Sequence, residues 1–191
     1  MAFVALLDAN VLYPANLRDA LLRLAEAEIY QVSWSRKILD EMARNVLENN
    51  PDLSEERIER LVRTMERAFP EAMVPGHEPL IPSMINDPKD RHVMAAAVRG
   101  RADVIVTSNV KDFPLEACEP YDVDVQTPDE FLQYQWEIGD PDFLLRVFDD
   151  WVLHLTNPPL ALEELLERLA RVAPHFSEMA FEAFKRRDSG S

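Results

Sequence analysis

The sequence contains little cysteine and little glycine, and both shortages limit what the chain can be. Cys118 is its single cysteine, so no disulfide can form within the chain and nothing argues for export into an oxidising compartment. Only four glycines are present, with no glycine-rich phosphate loop and no Gly-x-Ser-x-Gly elbow. These absences exclude nucleotide-loop enzymes and α/β-hydrolases, and they make the cytoplasm the expected location.

Long apolar runs and basic residues are also scarce. No apolar run approaches the length of a bilayer span, so we expect no membrane association. Hydrophobic residues make up 47% of the chain and charged residues 29%, which is the balance of a globular protein. The net charge of −15 counts against a simple polyanion-binding protein. To bind a polyanion, the protein would need a local basic rim, or divalent cations held by some of its acids.

Strand-like and helix-like segments alternate through the first 135 residues. Phe3–Leu7 and Asp103–Thr107 have the short apolar runs of strands buried on both faces of a parallel sheet, and weaker strands are expected at 30–34 and 123–125. Apolar spacing and capping residues predict helices over residues 17–29, 35–48, 54–69 and 87–100, and one more after Thr127. This alternation is typical of an α/β layer fold with a parallel sheet.

The pattern changes after residue 135. Helical spacing without any intervening strand recurs over residues 142–155, 160–172 and 176–187, with breaks at 157–159 and 173–174. We therefore predict an α/β domain at residues 1–135 and an all-helical C-terminal extension at residues 136–191. Large apolar residues recur in the extension, so its helices must cover something. We favour the chain's own core or a second copy in a homodimer over a groove for a partner's helix.

Candidate functional residues begin where the first predicted strand ends. Asp8 and Asn10 stand two residues apart there, so both side chains point to one side. Ligands of doubly wound sheets bind at such carboxyl ends, but the same residues also suit a cap on the next helix, and both readings stay open. Glu41 lies at the edge of an apolar helical stripe, where it can reach across the rim of a core or point into water.

Two later segments carry further candidates. We expect Asp87 to be the N-cap of a helix ended by Gly100, and capping suffices to explain it, whereas nothing decides between capping and function for Asp90. Thr107–Asp112 follows the second strand at another carboxyl end, although turn chemistry alone would also select it. The four histidines lack metal-ligand spacing, so surface or packing roles are expected for them.

Together these segments resemble the PIN-domain family, most closely its bacterial VapC-like branch. The likeness spans about residues 1–135, and both order and spacing match. The motifs that carry it are Leu-Leu-Asp8-Ala-Asn10 after the first strand, an acid on an early helix, Asp87-Pro-Lys-Asp90 opening a helix, and Thr107-Ser-Asn109-Val-Lys-Asp112 after the second strand.

The resemblance implies a three-layer α/β/α fold and endonucleolytic cleavage of RNA that depends on Mg²⁺ or Mn²⁺. It implies that Asp8, Glu41 and Asp90 bind the metal. It further implies that Asn10 orients Asp8 and that Thr107 lines the site. Hard oxygen ligands of this kind suit octahedral Mg²⁺, which keeps several waters, and one such water can be the nucleophile.

The chain departs from the family pattern at the fourth acid. Asn109 stands where many relatives have Asp, so either Asp112 takes over as a metal ligand, or three acids suffice, or a second metal binds weakly. Phosphate contacts require a basic rim. The basic residues that adjoin the candidates in sequence are Lys37, Arg44, Lys89, Arg91 and Lys111.

Several functions remain open on the sequence alone. An endoribonuclease of this branch is expected to be the toxin of a toxin-antitoxin pair, with a small antitoxin protein as its partner. The Asn109 departure and the acidic surface instead favour a catalytically inactive interaction module. A structure-specific DNA nuclease would use the same carboxylate site, and a comparison of RNA with DNA would distinguish it, because contacts to the 2′-hydroxyl separate the two sugars.

Overall fold

The structure is a computed structural model that describes residues 3–155 and 160–189, which form two compact units. The elements in chain order are β1 (Val4–Leu7), α1 (Ala9–Leu12), α2 (Ala15–Glu26), β2 (Gln31–Ser33), α3 (Arg36–Asn49), α4 (Glu55–Ala68), α5 (Arg91–Gly100), β3 (Val104–Val106), α6 (Leu115–Cys118), β4 (Asp124–Gln126), α7 (Pro128–Ile138), α8 (Pro141–His154), α9 (Leu162–Leu169) and α10 (Pro174–Ser189). Short 3₁₀ turns lie at Glu78–Ser83, Val110–Asp112 and Glu119–Tyr121.

The first unit holds the residues up to Pro14 and those from Tyr30 to Thr127, and it contains a sheet of four parallel strands in the order β2-β1-β3-β4. In the register of the central pair, Leu6 of β1 lies opposite Ile105 of β3. Because all four strands run the same way, their carboxyl ends lie along one edge of the sheet. The predicted α/β fold with a parallel sheet and C-terminal helices is confirmed, and both weak strands are present.

The core of this unit explains why its central strands are so apolar. Leu6, Leu7 and the side chains of Val104–Val106 are completely buried. Helix α5 buries every residue from His92 to Ala97, and its small side chains allow a close approach to neighbouring elements. This packing fixes the first turn of α5 and, with it, the acids that precede the helix.

Two predicted helix starts are confirmed by their hydrogen bonds. Ser35 caps α3, where its Oγ accepts from the backbone N–H of Ile38 at 3.2 Å, and Ser54 caps α4 by accepting from Arg57 at 3.4 Å. A serine hydroxyl in this position satisfies one of the free amides of the first turn.

The predicted start of α5 is wrong. The helix begins at Arg91 with Asp90 as its N-cap residue, and Asp87 belongs to a preceding turn. In that turn the Asp87 carbonyl accepts from the N–H of Asp90 at 2.9 Å, and its side chain accepts from Lys89 at 3.0 Å. The N–H of Asp87 donates to the carbonyl of Asp112 at 3.0 Å. An aspartate can serve a turn as readily as a helix start, so local composition did not distinguish them.

The end of α5 depends on Gly100, its last residue. A Cβ at this position would lie 2.8 Å from Cγ2 of Val74, so the missing side chain makes room for a packed neighbour. The next residue, Arg101, takes the left-handed conformation with φ of 53°, which commonly ends a helix.

The second unit consists of α2 and α7 to α10, and its described residues contain no strand. Phe176 lies at its centre, with ring centroids 5.8 Å from both Phe148 and Trp136. Asp129 of α7 accepts from the backbone N–H of Phe176 at 2.9 Å and so satisfies an amide in the first turn of α10. The apolar residues of the C-terminal helices therefore share a core. None of the described helices is long and apolar enough to cross a membrane.

The membership of the second unit differs from the consecutive division predicted at residue 135. Helix α2 and residues 128–135 belong to this unit, and α2 packs against α8 and α9. Apolar spacing predicts a helix over α2, but it does not identify the partner that covers the helix. These units are defined by contacts and not by chain order, so the division into two consecutive domains at residue 135 stays a prediction. The break predicted at 157–159 lies outside the described residues.

Phe176→Ala tests the aromatic core of the second unit. Phe176 is 1% exposed, and we expect its truncation to lower the free energy of unfolding by about 3–5 kcal/mol, because a buried ring is replaced by a cavity. Urea unfolding measures the change. The matched control is Leu153→Ala on the 75% exposed Leu153, which should change stability by less than about 0.5 kcal/mol. Equal losses in both variants would contradict this packing.

Candidate active site

Asp8 is the centre of a buried polar network at the carboxyl edge of the sheet. It directly follows β1 and is only 4% exposed. Its Oδ1 accepts from the N–H of Ala9 at 2.7 Å, which caps α1. Its Oδ2 accepts from Asn10 Nδ2 at 2.6 Å and from the Thr107 hydroxyl at 2.7 Å. Capping is therefore part of the role of Asp8, and its second oxygen is held by side chains.

Thr107 and Asn10 join the ends of β1 and β3. Asn10 Nδ2 also donates to Thr107 Oγ1 at 2.9 Å, and Asn10 Oδ1 accepts from the N–H of Ser108 at 2.9 Å. The N–H of Asn109 donates to Thr107 Oγ1 at 3.1 Å. Each side chain of the network thus has fixed partners, which sets the direction of the Asp8 carboxylate.

Burial makes the ionised form of Asp8 unfavourable. Desolvation raises its pKa above the usual aspartate value, and the charge of Glu41 raises it further. Hydrogen bonds from Thr107 and the Ala9 amide, together with the nearby His92, oppose this effect without cancelling it. Asp8 is therefore a carboxylate that would gain from a nearby positive charge.

Glu41 approaches this site from α3. Its Oε2 lies 3.3 Å from His92 Nε2, and its Oε1 lies 3.9 Å from Lys37 Nζ. Partial burial alone would raise the pKa of Glu41, but His92, Lys37 and Arg44 outweigh that effect and lower it. Glu41 is thus held in its ionised form at the edge of the core.

Burial and acidic neighbours make the ionised form of Asp90 unfavourable. It occupies the N-cap position of α5, but its side chain makes no capping hydrogen bond. Burial, followed by the charges of Asp8 and Asp112, raises the pKa of Asp90 to about 6, and Asp87 adds to this while His92 opposes it. Asp90 thus stands at the N-cap position without the hydrogen bond by which a side chain caps a helix. We call Asp8, Glu41, Asp90 and Asp112 the acidic cluster.

Asn109 and Asp112 are the two candidates for the position of the family's fourth acid. Asn109 has an exposed side chain and takes part in the network through its backbone N–H. Asp112 ends a 3₁₀ turn, and its carbonyl accepts from Asp87, which ties this loop to the turn before α5. The charge of Asp112 raises the pKa of Asp90, so Asp112 is the acid of this segment that interacts with the other acids.

The acidic cluster has the chemistry of a divalent-metal site. Carboxylate oxygens are the ligands that Mg²⁺ and Mn²⁺ prefer, and the mutual repulsion is what a cation offsets. Across residues 3–155 and 160–189, however, no three His, Cys, Asp or Glu side chains lie close enough together to hold one metal ion. The donor set therefore fits such an ion in its chemistry, although these side chains do not form a ready-made cage.

His92 is the residue at this site that sequence reasoning missed. It is 2% exposed and lies next to Glu41, and its charge acts on Asp8 and Asp90. Its burial agrees with the expected packing role, and its position two residues after a candidate acid is the signal that could have placed it at this site.

The predicted basic rim is partly exposed. Arg91 Nε donates to the carbonyl of Asn86 at 3.3 Å, which fixes its stem beside the turn before α5. The side chains that face solvent are those of Lys37, Arg44, Lys89 and Lys111.

Comparison with known proteins finds matches for both parts of the chain. The family model of the PIN domain matches residues 4–111, and that of the VapC50 C-terminal domain matches residues 128–181. A protein of Mycobacterium tuberculosis (strain ATCC 25618 / H37Rv) named "Putative ribonuclease VapC50" is 40% identical over 112 residues, which are 57% of this chain and 64% of that protein. No solved structure matches the chain.

The first match covers every residue of the polar network from Asp8 to Asn109, as well as Glu41 and Asp90. It also covers more than half of the chain. Both the sequence motifs and the parallel sheet agree with it, and the chain therefore belongs to the PIN-domain family.

Proposed function

We propose that this protein is a divalent-metal-dependent endoribonuclease that hydrolyses RNA phosphodiester bonds at the acidic cluster. The proposal is supported by the electrostatic interaction of Asp8, which follows β1, with Glu41 of α3 and with Asp90 before α5. Their burial and mutual repulsion would be offset by a bound cation. The name of the M. tuberculosis relative, of which the match covers 64%, supports RNA as the substrate class.

In this proposal Asp8, Glu41 and Asp90 hold Mg²⁺ or Mn²⁺, and Asp112 is the candidate for a fourth ligand. Such an ion supplies an activated water and neutralises charge on the phosphate. The carboxylates must be ionised to bind it, and the raised pKa of Asp90, about 6, leaves this residue mostly ionised at neutral pH.

Residues around the ligands prepare them for binding. Thr107 and Asn10 hold Oδ2 of Asp8 in a fixed direction before any ligand arrives. His92 and Lys37 keep Glu41 ionised. These partners support the proposal that the acids bind a metal ion.

RNA must reach the acidic cluster in spite of the net charge of −15. Lysine and arginine contacts position a phosphate backbone, and their effect is local because salt screens charges beyond about 10 Å. Lys89, Lys111 and Arg44 are exposed and adjoin the proposed ligands in sequence, so they are the first candidates for these contacts.

We further propose that the nuclease is the toxin of a toxin-antitoxin pair. The VapC50 name of its relative and the match to the VapC50 C-terminal domain support this role. We predict that a gene for a small antitoxin lies immediately upstream, which sequencing of that region would reveal. Its absence would contradict the toxin role and leave the nuclease proposal intact. The homodimer stays a prediction.

A catalytically inactive module is the second candidate, because Asn109 stands in place of an acid and no three ligands form a cage among the described residues. A DNA nuclease would share the same carboxylates. Activity measurements separate these readings.

Asp8→Asn should abolish RNA cleavage. Wild-type protein should cut single-stranded RNA when Mg²⁺ or Mn²⁺ is added, and the variant should lose more than about 100-fold in rate, since even an outer partner of a metal site contributes about 10- to 100-fold. Gel analysis of labelled RNA measures the rate. Asp40→Asn, on an exposed acid of α3, is the matched control and should cleave normally.

Undiminished cleavage in excess chelator would rule out the metal mechanism. Absence of cleavage with either metal would favour the inactive module. Faster cleavage of DNA than of RNA of the same sequence would favour the DNA nuclease.

Asp90→Asn should stabilise the metal-free protein at neutral pH. A carboxyl whose pKa is raised to about 6 in the folded state stabilises the fold fully below about pH 4, and this contribution is lost as pH rises through 6. The amide carries no charge, so the melting temperature of the variant should exceed that of wild type at pH 7.5 in chelator and approach it near pH 4. Thermal unfolding at both pH values measures the difference.

Bound metal should act in the opposite direction on the difference in melting temperature. Added Mn²⁺ should raise the melting temperature of wild type more than that of Asp90→Asn, because a ligand that binds the folded state stabilises it. A variant equally or less stable than wild type at pH 7.5 in chelator would show that Asp90 is not under repulsion.

A further inference from the structure

His92 is a buried polar residue in an otherwise apolar stretch of α5. It is the second residue of the helix and is 2% exposed, and it is followed by Val93, Met94 and three alanines, all buried. Its Nε2 lies 3.3 Å from Glu41 Oε2, and within the described part of the chain neither ring nitrogen makes a hydrogen bond. Glu41 is therefore the acid whose carboxylate lies beside the ring.

Packing alone does not account for an imidazole at this position. Burying a polar ring without a hydrogen-bond partner is unfavourable. The next positions of α5, from Val93 to Ala97, are filled by apolar side chains of similar or smaller size. The acid that faces His92 is Glu41, and its carboxylate is the feature that a polar ring at this position can serve.

The two oxygens of Glu41 have unequal partners. Oε2 faces the buried His92 at 3.3 Å, whereas Oε1 lies 3.9 Å from Lys37, whose side chain is 53% exposed. An exposed ion pair at this distance is weak, because water competes with both charges. A cation could therefore take the place of Lys37 at Oε1 while His92 keeps Oε2.

We propose that His92 is a positioning residue. It holds Oε2 of Glu41 in place within the acidic cluster, so that Oε1 of Glu41 can bind a divalent cation. The inference rests on the proposed function, since it concerns the same site. It assigns His92 no contact with the substrate. The effect of His92 must therefore pass entirely through Glu41.

The proposal is tested by the affinity of the full chain for Mn²⁺, measured by isothermal titration calorimetry without RNA. His92→Leu removes the ring nitrogens and should weaken Mn²⁺ binding by about 10- to 100-fold, the usual effect of losing an outer partner of a metal ligand. His92→Gln keeps an N–H donor and should restore most of the affinity. In a Glu41→Ala background, His92→Leu should cause no further loss, because no carboxylate remains to be positioned.

A second buried histidine provides the control. His77 is 3% exposed and follows Val74, which packs against Gly100 at the opposite end of α5. His77→Leu should change thermal stability and leave Mn²⁺ affinity unchanged. Thermal unfolding of every variant without metal verifies that each one is folded.

Each outcome decides a different claim. If wild type binds Mn²⁺ and His92→Leu binds it equally well, or loses affinity equally in the Glu41→Ala background, the positioning role is overturned and the proposed function stands. If wild type does not bind Mn²⁺, the proposed metal chemistry fails and this inference fails with it. If His92→Leu is unfolded, the His92→Gln variant decides, since full loss of affinity in that folded variant would also overturn the proposal.

Discussion

Parallel pairing of β1 with β3 holds Asp8 beside Thr107, whose hydroxyl donates to Oδ2 of Asp8 at 2.7 Å. The rest of the site is arranged around this contact. Asn10 bridges both residues, and the first turn of α5 brings Asp90 to the same edge because the helix is packed against the core. A parallel sheet gathers residues that are distant in the chain at one edge, so fixing one pair constrains the position of the others.

The carboxylates of the acidic cluster repel one another, and the surrounding residues compensate for only part of this repulsion. Burial raises the pKa of Asp8 and Asp90, and their mutual repulsion adds to the effect. His92 and Lys37 offset part of this repulsion near Glu41. Active sites commonly retain such unfavourable charges, because the groups that destabilise the free protein are those that bind its ligand.

Sequence reasoning succeeded where a local pattern has one physical outcome. The helices that begin near residues 35 and 54 were predicted, since a hydroxyl before an apolar stripe satisfies a free amide, and the apolar runs predicted the central strands. It failed where two outcomes have similar local chemistry. Asp87 forms a turn in place of a cap, and the partners of α2 depend on tertiary packing that periodicity does not encode. His92 was missed because its partner lies on another helix.

Anomalous diffraction from a crystal grown with Mn²⁺ would show whether the acidic cluster binds a divalent cation. We expect one strong anomalous peak at the carboxyl edge of the sheet, within bonding distance of the carboxylates of Asp8 and Asp90, and no peak there in an Asp8→Asn crystal. A map with no peak among Asp8, Glu41 and Asp90 at saturating Mn²⁺ would contradict the account, even if the protein bound Mn²⁺ elsewhere on its surface.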